Sequence, residues 1–221
     1  MKYLAISILI AASASAQTPA PEVQQRLAAV KQAIAENHQR LQAYTWTEST
    51  ELSLKGEVKR MDQKECHYGP DGKVVKVPIT APPEKKTPHG LKGRIVEKKV
   101  EEFKEYMDRF GSLISRYVPP NPADLQQAQK SGKATLDKAA GTLVFNDYVK
   151  SGDKVAFAFD PAARKLRTFS VNTYLDGPQD VVTVNARFSS LPDGTSYVDE
   201  SVLTSASKQL KIKTTNFDYK K

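Results

Sequence analysis

The sequence predicts an α+β fold: a large curved antiparallel sheet of about ten strands, with helices segregated on one face. Three observations carry this. After Gly132 every segment alternates apolar and polar residues with a period of two. Helical periodicity is confined to stretches before that point, and Gly-, Pro- and Asp-rich turns punctuate the strands at short intervals. Net charge is +8, and 39% of residues are hydrophobic. That composition excludes a multi-span membrane protein, a collagen and a wholly disordered chain.

The chain opens with Lys2, a nine-residue apolar run from Leu4 to Ala12, and Ala14-Ser15-Ala16. A basic start, a short apolar core and an A-x-A site make a secretory leader with expected cleavage after Ala16. The residue directly after that point is Gln17 and not a cysteine, so a lipid anchor is not expected. Cleavage removes Lys2 and no acid, which lowers the charge from +8 to +7. The expected organisation is therefore a signal peptide over 1–16 and one domain over 17–221, periplasmic or extracellular, with no transmembrane span. The lone Cys66 has no partner in its own chain and reads as a small buried hydrophobe.

From Pro21, residues Val23, Leu27, Val30, Ile34 and Leu41 recur at spacings of 4, 3, 4 and 7, an amphipathic helix. At Tyr44 the period becomes two. Tyr44, Trp46, Leu52 and Leu54 share one parity against Thr45, Thr47, Ser49, Glu51 and Ser53. Lys55-Gly56 turns the chain into a polar strand over 57–68. Gly69-Pro70-Asp71-Gly72 turns it again into Lys73–Ile79, with Val75, Val77 and Ile79 on one face.

Residues 81–93, with three prolines and two glycines, form an expected mobile loop. A strong helix follows, in which Val96, Val100, Phe103, Met107, Phe110, Ile114 and Tyr117 recur at 4, 3, 4, 3, 4 and 3, with Tyr106 and Leu113 widening the stripe. Pro119-Pro120 ends it. Asn121 as N-cap, Pro122 at the first position, Asp124 near the positive end and Gly132 past the finish define a short third helix. Strands then run approximately over 133–138, 142–149, 153–160, 165–174, 180–190, 195–206 and 208–219.

The helix running into Leu41-Gln42-Ala43-Tyr44-Thr45-Trp46, the strand pair around Lys55-Gly56-Glu57, and Leu191-Pro192-Asp193-Gly194 before two long strands ending in Asn216-Phe217-Asp218-Tyr219 are similar to one family. The chain resembles the bacterial periplasmic lipoprotein-carrier superfamily, the LolA/LolB-like fold with its lipoprotein-sorting relatives. That resemblance implies an unclosed antiparallel barrel whose concave apolar face is lidded by helices and holds an acyl chain, lipid or lipoprotein. No residue here matches the arginine that holds the lid in the carriers proper, so lipoprotein release is not implied.

No catalytic motif is present: no H-E-x-x-H, G-x-S-x-G, P-loop, G-x-G-x-x-G after a strand, or EF-hand loop. His38, His67 and His89 have no metal-ligand spacing, and no cofactor is expected. Glu101 and Glu102 point apart on a helix, while Glu48 shares the parity of Trp46 and reads as a rim carboxylate or a partner of a lysine. Two functions of different class follow. The first is a non-enzymatic binding module with Trp46, Leu52, Phe157, Phe159, Val182, Val184 and Phe188 as floor and Phe103, Met107 and Phe110 as lid. The second is an envelope interaction or regulatory protein whose apolar face is filled core. Lys85, Lys86, Lys92 and Arg94 form a basic cluster at the loop, suited to an anionic envelope surface. An exported chain without an aromatic-basic strand motif is not expected to bind nucleic acid.

Overall fold

The computed structural model describes residues 35–79, 91–137, 139–160 and 165–221, with the isolated positions 25, 28 and 32. The expected leader, Lys85 and Lys86 lie outside the described residues, as do the side chains of Lys92 and Arg94.

Ten strands form one antiparallel sheet: β1 (Thr45–Leu54), β2 (Glu57–Tyr68), β3 (Val74–Pro78), β4 (Ala134–Asp137), β5 (Thr142–Asn146), β6 (Lys154–Asp160), β7 (Lys165–Tyr174), β8 (Val181–Ser190), β9 (Ser196–Ser205) and β10 (Leu210–Lys220). Their spatial order is β3-β2-β1-β10-β9-β8-β7-β6-β5-β4. Two sequential meanders thus meet at a seam between β1 and β10, and the sheet stays unclosed between β3 and β4. Two helices, α1 (Leu91–Ile114) and α2 (Pro122–Lys130), separate the meanders in the chain. Residues 35–41 are also helical and lead into β1. No described helix is long and apolar enough to cross a membrane.

Alternation decides which face of the sheet is core. On β6, Val155, Phe157 and Phe159 are buried while Ala156 and Ala158 are half-buried; on β8, Val182, Val184 and Ala186 are buried in the same way. These pack with Leu143, Phe145, Phe169 and Val171 against the inner face of α1. Of the expected stripe, Tyr106, Phe110 and Leu113 are buried in α1 and Tyr117 is buried just past its end, whereas Val100 is 59% exposed. The Tyr106 hydroxyl hydrogen-bonds Ser205 Oγ, which turns that ring onto the sheet. The helix also begins at Leu91, inside the expected 81–93 loop, because Leu91 and Lys92 are good helix formers ahead of Gly93.

The short helix α2 is built as its sequence predicts. Asn121 Oδ1 accepts from the Ala123 amide at 2.9 Å, Asp124 sits in the first turn, and Gly132 follows the end at a φ of +70°.

Strand β5 stops at Asn146, three residues before the expected end. Asp147 adopts a left-handed φ of 48° and the chain loops to Asp153, whose carboxylate is only 2% exposed. It accepts hydrogen bonds from the amides of Tyr148 (2.5 Å), Val149 (3.0 Å) and Lys150 (2.9 Å) and from the Tyr117 hydroxyl (2.6 Å). A turn and the end of α1 are thereby tied to one buried anion.

Burial, reinforced by the Asp153 carboxylate, pushes the Tyr117 hydroxyl well above the ordinary tyrosine range, and burial does the same to Tyr219. Both favour the neutral phenol in the folded state. Their stabilisation is therefore complete below the unfolded value near pH ~10 and is lost as pH rises from there through the folded values. In an absorbance titration these two are expected to ionise only as the fold opens, and Tyr117→Phe to remove part of the alkaline loss. Ionisation of every tyrosine near pH ~10 with the fold intact would refute this.

Candidate functional site

Between the helical residues 35–41, the segment after α1 and the concave face lies a cavity of about 360 Å³. Its floor is Phe157 and Phe159 of β6, Leu166 and Phe169 of β7, Ala186 and Phe188 of β8 and Val198 of β9. Its far wall is Val118, Pro119 and Pro120, and its rim carries Glu36, Asn37, Arg40, Lys165, Gly194 and Ser196.

The void has an identifiable cause. α1 ends at Ile114, and past it Val118, Pro119 and Pro120 cover the concave face with compact side chains instead of long helical ones. The floor bends at the same place: register shifts lie between Ala158 and Phe159 in the β6–β7 pair and between Arg187 and Phe188 in the β8–β9 pair. Such bulges kink the strand and increase its twist, which draws the sheet away from what covers it. The helical segment is held at the rim by a hydrogen bond from the Ser196 amide to Asn37 Oδ1, 3.1 Å.

Among the expected site residues, the cavity brings together Phe157, Phe159 and Phe188. Phe110, Val182 and Val184 are 2%, 0% and 3% exposed and belong to filled core. Leu52, Phe103 and Met107 are half-buried and pack against that core. Phe103, Met107 and Phe110 do not line this cavity, whose cover on that side is Val118, Pro119 and Pro120.

Trp46 lies in a separate aromatic cluster. Its indole stacks on Tyr219 at 5.6 Å between centroids, approaches Tyr68 at 5.7 Å, and donates Nε1–H to Asn216 Oδ1 at 3.2 Å. Glu48 beside it is 9% exposed and paired with Lys76 at 2.6 Å. Cys66, fully buried opposite Trp46, has its thiol pushed up by burial and is inert packing. Tyr44 closes the cluster by donating to Asp193 Oδ2 at 2.6 Å, and Lys221 pairs with the same carboxylate at 3.0 Å.

The other hollows offer less to a ligand. A shallow cleft of about 600 Å³ lies on the outer side of Pro119 and Pro120, edged by Ser115, Arg116 and Asp124, which are exposed. A third, of about 460 Å³, lies over turn residues such as Gly56 and Gln209. Among the described residues no group of His, Cys, Asp and Glu is placed to hold a metal ion. No protein family, curated protein or solved structure matches the chain.

Four rim residues, Glu36, Asn37, Arg40 and Lys165, were not among the expected site residues. Glu36, Asn37 and Arg40 fall on the polar side of a helix, where charge is the ordinary pattern. Lys165 opens a strand after a turn, with nothing in the local sequence to set it apart.

Proposed function

We propose that the protein is a non-enzymatic binding module that holds an acyl chain or similar apolar ligand in this cavity, and that it acts in the bacterial envelope after export. The carrying observation is an apolar hollow of about 360 Å³ with its polar groups confined to one rim. This is the form of a small-molecule site, at the lower end of the usual ~300–1,000 Å³. The family resemblance supports the same reading, since an unclosed sheet with an apolar concave face is what such carriers use.

The test is uptake of an apolar fluorescent probe by the purified protein, with native mass spectrometry of protein isolated from its own envelope. Ala186→Phe places a ring in the hollow and is expected to weaken uptake by about tenfold or more while circular dichroism is unchanged. A wild-type protein that carries no lipid and takes up no probe would remove the reading. In that case the second reading, an envelope interaction protein, gains weight from one observation: Met61 of β2 and Val75, Val77 and Ile79 at the β3 end of the sheet are 40–59% exposed.

A further inference from the structure

We infer that the ligand of this cavity is a single-chain amphiphile with an anionic head, anchored at the rim by Lys165 with Arg40 beside it. The inference rests on the binding-module reading above and adds the chemistry of the head and the size of the tail.

The head follows from Lys165. Its ammonium donates to Ser190 Oγ at 3.1 Å and to the Gly194 carbonyl at 3.2 Å, both neutral acceptors. An ammonium has three donors, so one remains. Among the described residues it forms no ion pair with a carboxylate, Asp160 opposite it in the β6–β7 register being engaged in an interaction of its own, although the side chain is half-buried against an apolar floor. A cation so placed gains most from an anion that arrives with the ligand, because a charge-assisted hydrogen bond strengthens as water is excluded.

The post is completed by a turn. Gly194 has a φ of +82°, which the turn needs in order to present its carbonyl, and a Cβ there would lie 3.9 Å from the Lys165 nitrogen. Across the rim, Arg40 uses one guanidinium nitrogen on Glu36 at 3.1 Å, leaving further donors of its fork. Among the described residues that line the cavity, Lys165 and Arg40 are the cations and Glu36 the acid, which disfavours a cationic head.

The tail follows from volume and lining. An apolar cavity of ~150 Å³ holds one benzene ring, so about 360 Å³ has room for roughly a dozen carbons. That is one chain and excludes a bundle of several. The floor beyond the rim, Phe157 and Phe169, carries no polar group to meet a second head.

Isothermal calorimetry of the full chain with dodecanoate, dodecyl phosphate, dodecanol and dodecyltrimethylammonium tests this. Both anions are expected to bind about tenfold more tightly than the alcohol, and the cation more weakly than the alcohol. Lys165→Gln is expected to abolish the preference and Lys165→Arg to retain it; Arg40→Gln is expected to reduce it. The ratio of dodecanoate to dodecyl phosphate separates a carboxylate head from a phosphate head. Equal binding of anion and alcohol, a preference unchanged in Lys165→Gln, or tighter binding of the cation overturns the head assignment and leaves the apolar site standing. Failure of all four to bind overturns both.

Discussion

Asp153→Ala is expected to destabilise the protein by about 3–5 kcal/mol, seen as a fall of about 2 M in urea midpoint at unchanged slope. Four donors converge on this carboxylate, three of them backbone amides of one loop and the fourth the Tyr117 hydroxyl. Each buried donor left without a partner costs about 1–3 kcal/mol, less where the loop can open to water, so the effects add only in part. Against a typical total of ~5–15 kcal/mol this is a large fraction. Asp153→Asn keeps one acceptor oxygen and should lose about half as much. A loss below about 1 kcal/mol for the alanine variant would mean that the loop holds itself without the anion.

Phe157→Ala is expected to lose about 3–5 kcal/mol and also to change what the cavity accepts. The ring is 1% exposed and sits between Phe145, edge-on at 6.0 Å, and Phe169 at 5.1 Å. Truncation removes two aromatic contacts and opens the floor beneath the 360 Å³ hollow. The optimum in a series of alkyl carboxylates should therefore shift to longer chains, read by calorimetry beside the urea midpoint. A large fall in stability with an unchanged optimum would place the ring in the core only and not in the site.

Much of the sheet was legible because alternation is local. Strands such as β7 and β8 need only their own residues and the flanking turns to be drawn, and the Asn121-Pro122 start of α2 is likewise a local signal. Which part of the α1 stripe meets the sheet was less legible: Val100 and Tyr106 both satisfy helical spacing, and the pairing of Tyr106 with Ser205 on a distant strand lies beyond local pattern. The cavity could not be read from pattern, since it is an absence of filling among four strands, a proline pair and a helix end. Trp46 shares parity with Leu52, yet the sheet carries it into the cluster around Tyr219 instead. Asp153 stood out in the sequence only as the start of the strand over 153–160, because its fourth donor, Tyr117, is 36 residues away.

The order of strands has a consequence for how the fold is reached. Every neighbouring pair in the sheet is joined by consecutive strands except β1 and β10, whose facing residues Thr50 and Thr214 are 164 positions apart. Closing a loop of that length instead of a few residues is about five doublings, roughly 3 kcal/mol of additional chain entropy. Hairpins on either side can form early and independently, whereas the seam needs both meanders in place before it is rewarded. Search for that single long-range register is therefore the step expected to limit folding, with the β1 and β10 edges open until it is found.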